Sequence, residues 1–182
     1  MKEHFVCSAK KAWSLDNRIR KLTQNPEKIL KPYIKNNAIV LDFGCGPGFF
    51  TIAAAKIIDK GKIIAVDSQQ NMLNRIKNRV KGKKLEKKIE LVKCSHNNIN
   101  IKEKVDFVIL AHVLHEIKDK IIILKQIKSI MKNDARLLFI EPKAHVSKKD
   151  FKEELEILQK TGFKVIKKQR VFLSRGVLVG KV

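Results

Sequence analysis

The sequence predicts an α/β fold, a doubly wound and mostly parallel sheet with helices on both faces. Three observations predict it. Short apolar runs alternate with segments of helical spacing, which calls for a parallel sheet with right-handed crossovers. One run, Phe107-Val108-Ile109-Leu110, is continuously apolar, as a strand covered on both faces requires. The last two runs follow one another with no helix between them, so they should pair antiparallel.

The elements follow in order. Residues 1–23 are lysine-rich with scattered apolar positions, and read as an irregular start with a helical turn near 16–22. Pro26 suits the first turn of a helix capped by Asn25, with Ile29, Leu30 and Tyr33 on one face. The first strand is placed at 38–43, a helix at 48–59 and the second strand at 62–67. A helix at 69–80 carries Met72, Leu73, Ile76 and Val80 at helical spacing. The third strand is placed at 88–93 and the fourth at 105–110. A helix at 119–132, a strand at 135–141 and a helix at 148–161 come next. Gly162 stops that last helix ahead of a sixth strand at 163–168. The final strand begins at Val171 and has an irregular middle at Ser174-Arg175-Gly176. The domain expectation is one domain over 1–182, with 1–36 as a helical lead-in or lid and 37–182 as the core.

Composition narrows the class. At 182 residues and 44% hydrophobic content, one globular domain with a sizeable core is expected. No apolar run is long enough to span a membrane, and Met1 to Cys7 lacks the stretch of a secretory leader; the expected compartment is the cytoplasm. Three scattered cysteines fit neither a disulfide framework nor a metal-ligand spacing, and no metal is expected. The net charge of +22 admits a nucleic-acid surface. Yet lysines outnumber arginines 33 to 7, the excess is spread along the chain, and the densest basic run, 75–93, contains no aromatic residue. Arginine and stacking aromatics mark RNA recognition, so a solvated basic face is favoured.

The most informative stretch is Val40-Leu41-Asp42-Phe43-Gly44-Cys45-Gly46-Pro47-Gly48-Phe49. A strand, an acid, alternate glycines and a helix together make a small-molecule site, because glycine lets backbone approach a ligand and a helix start offers N–H groups. A dinucleotide fingerprint would need glycine where Phe49 stands. Asp67 ends the second strand, where a carboxylate meets ribose hydroxyls in nucleoside-binding α/β folds.

Asp42-x-Gly44-x-Gly46-x-Gly48 with Asp67 resembles the class I methyltransferases that use S-adenosylmethionine (SAM). Asp106 to Ile117, with Val113-Leu114-His115-Glu116-Ile117, is similar to the fourth-strand motif of that family's small-molecule and quinone-like branch. Leu137-Leu138-Phe139-Ile140-Glu141-Pro142 is similar to its fifth strand, and Asn25 to Leu30 to its lead-in helix. The resemblance implies the sheet order 3-2-1-4-5-7-6 with the last strand antiparallel, SAM as cofactor and S-adenosylhomocysteine as product. It also implies cofactor contacts from Asp42, Gly44, Cys45, Gly46, Gly48, Asp67, Ser68, Met72 and Ala111. Many relatives carry an acid after the third strand; this chain has Cys94-Ser95-His96-Asn97, so Ser95 and His96 stand at the adenine position.

Several positions keep two readings. The glycines form a tight turn or contact the methionine part of SAM. Asp67 caps a helix or binds ribose, and Met72 is core or flanks adenine. His112 and His115 would share a face if a helical turn follows the fourth strand. His115 with Glu116 is a helix entry or a general base, with His112 as a further candidate. Glu141 faces the substrate or pairs with a lysine, and His145 is a second substrate-side candidate. Phe5, Trp13 and Tyr33 are candidate pocket-wall residues. The expected activity is methyl transfer to a small molecule by in-line displacement, from a monomer or homodimer. Methylation of RNA or protein, and SAM binding without catalysis, are the alternatives.

Overall fold

The structure is a computed structural model and describes residues 24–182. The proposed turn near 16–22, and Phe5 and Trp13, lie outside the described residues. Seven strands form one sheet: β1 (Ile39–Phe43), β2 (Lys62–Asp67), β3 (Ile89–Lys93), β4 (Val105–Ala111), β5 (Met131–Pro142), β6 (Phe163–Val171) and β7 (Ser174–Lys181). Their order is β3-β2-β1-β4-β5-β7-β6. All neighbouring pairs are parallel except β5 with β7 and β6 with β7. The order 3-2-1-4-5-7-6 and the antiparallel last strand are therefore as expected.

The two-residue period of the strands divides the core. Leu41 and Phe43 point to the face shared with Val108, Leu110, Leu137 and Phe139. Helices α4 (Lys120–Ile130) and α5 (Lys148–Lys160) cover that face with Ile123, Leu124, Ile127, Phe151 and Leu158. Val40, Ile63, Phe107, Ile109 and Leu138 point the other way. There they meet α1 (Pro26–Leu30) and α2 (Phe49–Ile57) through Leu30, Phe50, Ala54 and Ala55. Helix α3 (Gln70–Val80) adds Leu73 and Ile76 against Ala65 and Cys45. Each fully buried aliphatic or Phe side chain contributes about 1.5–3 kcal/mol.

Local chemistry fixes the ends of these elements. Asn25 caps α1, its side-chain oxygen accepting from Lys28 N at 3.0 Å, and Pro26 stands in the first turn. Ser147 and Asp150 form a reciprocal capping box at α5. Asp106, the polar residue inside the fourth apolar run, accepts from Ile39 N at 2.8 Å and from Lys132 Nζ at 2.7 Å. It ties together the starts of β1, β4 and β5.

The larger differences from the sequence reading fall in two places, and Val171, expected to open the last strand, instead ends β6. The helix expected to reach 132 ends at Ile130, because Met131 pairs with Val105 in the ladder and is buried there. Strand β5 starts early as a consequence, and its continuous register with β4 begins at Arg136. Ser174, Arg175 and Gly176 are not irregular. They pair with Pro142, Glu141 and Ile140 on one side and with Val171, Arg170 and Gln169 on the other. The break is a turn at Phe172 and Leu173, both exposed, which carries no glycine, proline or asparagine to announce it.

Tyr33 is not at the carboxyl ends of the strands. Its ring stacks on Phe107 at 6.0 Å, its hydroxyl meets Gln169 at 2.5 Å, and Lys167 lies over it. It closes a sheet face because the chain descends from α1 across that face into β1. It also borders a cleft of about 390 Å³ at the amino ends of β1, β4 and β5, far from the glycine loop.

Leu173 adopts φ +54° and is 64% exposed. A left-handed conformation costs a branched residue roughly 1–2 kcal/mol, and asparagine tolerates it better. Leu173→Asn is therefore expected to stabilise the fold by about 0.5–1 kcal/mol. An unchanged or lower urea midpoint would count against this description of the turn.

Candidate functional site

Strand order reverses between β1 and β4, and open α/β sheets bind ligands at the carboxyl ends of strands beside such a switch. The loop after β1 is held from the neighbouring strand. Gly44 N and Cys45 N both donate to Val66 O, at 2.8 and 3.0 Å, and Gly46 N donates to Asp67 Oδ2 at 2.9 Å. Arg79 holds the far side through Pro47 O at 2.6 Å. Gly44 and Gly48 have positive φ, and a Cβ there would stand 2.3 Å from Val113 and 2.8 Å from Ile76. Gly46 also has positive φ, but a Cβ on it would meet nothing within 4 Å. Gly44 and Gly48 are thus packed turn positions, while Gly46 opens onto free space that a ligand can approach.

Two acids lie beneath the loop. Asp42 is 2% exposed, and its Oδ2 accepts from Thr51 Oγ1 of α2 at 2.6 Å. Burial pushes its carboxyl up to about 7; the Thr51 hydrogen bond opposes this and the nearby Asp67 adds to it. Asp67 is 8% exposed and its carboxyl is also raised by burial, against hydrogen bonds from Gln69, Gly46 and Ser68. Its Oδ1 accepts from Gln69 N at 2.9 Å, so Asp67 shapes the entry to α3 as well as the loop. Burial likewise raises the thiols of Cys45, at the loop, and of Cys94, the latter to about 11, so both are unreactive near neutral pH. A cation seated beside Asp42 and Asp67 would be attracted by both.

Met72 is 2% exposed on α3, while Ser68, Ser95 and His96 are exposed in the loops after β2 and β3. Ser95 N is engaged with Asn98 O at 3.0 Å, and Cys94 N with Asp67 O at 3.1 Å. Ala111 ends β4, half-buried beside the loop.

The fourth-strand motif does not form an α-helical turn. His112 has φ +59°, its N donates to Ile140 O at 2.8 Å, and its Nε2 lies 3.2 Å from Ser174 Oγ. A short 3₁₀ turn, Leu114–Glu116, follows. His112 lies before that turn, so the condition for the two histidines to share a helical face is not met. His115 is taken instead by Glu141 at the end of β5. Its Nδ1 lies 2.7 Å from Oε2, and its backbone N donates to Oε1 at 3.2 Å. The wholly buried Glu141 pairs with this histidine rather than with a lysine. A carboxylate can only accept, so Nδ1 carries the hydrogen and Nε2 is left as the basic atom. Glu116 lies 3.9 Å from Nε2, and the exposed His145 stacks on the His115 ring at 6.1 Å. Burial works against the charged ring, but the Glu141 hydrogen bond and charge, together with the charges of Glu116 and Glu154, raise His115 above its ordinary value.

Four partners were not singled out in the sequence: Thr51, Ser174, Lys120 and Glu154. Only Glu154 carried a signal, an acid on the apolar stripe of α5 between Phe151 and Leu158. Among the described residues no group of His, Cys, Asp and Glu is arranged to hold a metal ion.

A family model described as a methyltransferase domain matches residues 34–172. The chain belongs to this methyltransferase family. A demethylmenaquinone methyltransferase from Lactobacillus johnsonii is 30% identical over 132 residues, 70% of this chain and 54% of that protein. The chain thus spans about half the length of that curated relative. A carboxy-S-adenosyl-L-methionine synthase from Pseudoalteromonas atlantica is 38% identical over 71 residues, 38% of this chain and 29% of that protein. Among solved structures, a SAM-dependent methyltransferase from Aquifex aeolicus superposes with a TM-score of 0.85 at 29% identity, covering 97% of this chain and 100% of that one. The family cofactor is SAM. The open Gly46 face and the two buried acids fit a ligand that carries a sulfonium charge.

Asp42 gives the protein a definite pH signature. A carboxyl raised in the folded state binds more protons than the unfolded chain between its ordinary pKa and about 7, so stability falls as pH rises through that window. Wild-type urea midpoints, measured without cofactor, should decline from pH 4.5 to 7.5 more steeply than those of Asp42→Asn. Parallel profiles would show that Asp42 does not titrate in this range.

Proposed function

We propose that this chain transfers the methyl group of SAM to a small-molecule acceptor. The observation that carries the reading is the glycine loop held on the end of β2, with its one unfilled position, Gly46, beside buried Asp42 and Asp67. Gly44, Cys45, Gly46 and Gly48 would hold the methionine part and Asp67 the ribose. Ser68, Met72, Ser95, His96 and Ala111 would border the remainder. Asp42 acts through Thr51 and the loop. Residues 24–36, with α1, lead into the core, and a cytoplasmic monomer or homodimer completes the proposal.

SAM supplies a methyl on a positively charged sulfur, which leaves as a neutral thioether when a nucleophile attacks in line. The chain's own work is to align the acceptor, exclude water and accept a proton where the acceptor carries one. The His115–Glu141 pair suits that last task. Glu141 fixes the ring and stabilises its charged form, and Nε2 takes the proton. His112, held by Ser174, and His145, stacked on His115, flank this side. The name of the L. johnsonii relative supports a small-molecule acceptor.

An RNA acceptor is the second reading, favoured by one feature: the outer strand β6 exposes Lys164, Lys167, Lys168 and Arg170. The carboxylates of Glu116 and Glu141 on the acceptor side oppose a phosphate backbone there. RNA binding with a steep salt dependence would support the second reading.

Calorimetric titration with SAM and S-adenosylhomocysteine should show binding by wild type and its loss in Asp67→Ala. Absence of binding by folded wild type would remove the reading. Once an acceptor is found by screening, His115→Asn should lower turnover by roughly 10²–10⁴-fold, as for loss of a general base, with SAM affinity retained. Full turnover in that variant would mean that the acceptor needs no base.

A further inference from the structure

Helix α5 turns Phe151 and Leu158 toward the sheet, and Glu154 stands between them, 4% exposed. Its Oε1 receives Lys120 Nζ at 3.2 Å. Its Oε2 is buried and meets no hydrogen-bond donor among the described residues. An apolar side chain would fill the same place on α5 without an orphan oxygen, so packing gives no reason for an acid here.

The surroundings give one. Both Glu141 and His115 lie within electrostatic reach of Glu154. The groups facing His115 are Glu141 from β5, Glu116 from its own turn, Glu154 from α5 and His145 from the loop after β5. Lys120, from α4, enters the cluster through Glu154. Three carboxyls thus face one lysine and one histidine in a largely buried space. With all three ionised and the ring neutral, negative charge is in excess, which favours uptake of a proton. Two atoms there are placed to take it, His115 Nε2 and Glu154 Oε2.

We propose that Glu154 is a positioning residue for His115: the two share one proton, and the charge on Glu154 adds to that of Glu141 in setting how readily His115 takes up the proton that an acceptor releases. The inference rests on the reading of His115 as the acceptor-facing base, although the sharing is a property of the protein without cofactor. Burial and the neighbouring Glu141 push Glu154 up to about 7, against Lys120 and His115, and His115 is itself raised. The two groups therefore titrate over overlapping ranges and are coupled. Ionised Glu154 makes His115 a stronger base, and protonated Glu154 makes it a weaker one.

The test is an NMR titration of the imidazole signals in cofactor-free protein, with His115 assigned by its absence in His115→Asn. Only five histidines share the spectrum. Wild-type His115 should titrate above the ordinary histidine value over a broadened range. Glu154→Gln keeps the shape and removes the charge; it should lower the His115 midpoint by roughly one pH unit, the scale on which one nearby charge acts. Lys120→Gln should lower it too, because Glu154 loses the cation that keeps it ionised. A His115 midpoint unmoved by Glu154→Gln, whatever happens to Tm, would overturn the proposal and leave Glu154 a structural group. If Glu154→Gln does not fold, Lys120→Gln decides alone, and an unmoved midpoint there overturns it equally. Because no cofactor is present, failure here leaves the SAM reading standing, and failure of SAM binding leaves this result standing.

Discussion

The glycine loop depends on the end of β2. Two consecutive N–H groups, of Gly44 and Cys45, converge on Val66 O, and the Gly46 N–H reaches the Asp67 carboxylate. This constraint explains why the loop needs positive φ at three glycines, since the chain must curl back over the neighbouring strand before α2 begins. It also explains why Asp67 is nearly buried. Its carboxylate serves as an internal anchor for the loop and for the start of α3 before any ligand arrives. A site built this way is preorganised, because loop and acid fix each other.

The same arrangement concentrates negative charge at the ligand side of a strongly basic chain. Asp42 and Asp67 sit under the loop, and Glu141, Glu116 and Glu154 surround His115. The positive charge lies elsewhere, on exposed lysines such as those of β6 and the end of α3. Burying a carboxylate is costly, and at Asp42 and Asp67 a raised pKa relieves part of that cost. A sulfonium ligand would relieve it differently, by supplying the missing positive charge.

The surroundings of His115 and His112 are assembled from three strand ends. His115 comes from the turn after β4, Glu141 from the end of β5, and Ser174, which holds His112, from the start of β7. The antiparallel β7 makes this possible: running against β5, it begins where β5 ends and places Ser174 opposite Pro142. The turn at Phe172 and Leu173 therefore belongs to the architecture of the site, and Lys143 N donates to Leu173 O across it.

Strand order, the position of the glycine loop and the place of Asp67 at the end of β2 were legible in the sequence. Each depends on short-range information: glycines where φ must be positive, apolar runs of strand length, and an acid fixed in register by the strand it ends. The strand ends near Met131 and Phe172 were not legible, because the apolar pattern runs on through both while ladder pairing sets the break. Nor was the choice between readings of Glu141. Its histidine partner is 26 residues away, and only the parallel pairing of β4 with β5 sets the two side by side. Glu154 was visible as an acid on an apolar stripe, but its neighbours come from α4, β5 and the turn after β4. The sequence by itself determined the strand, glycine loop and helix at the switch point, since their geometry is local. Only the tertiary structure decided which acid meets which base, since that depends on elements distant in sequence being packed at one end of the sheet.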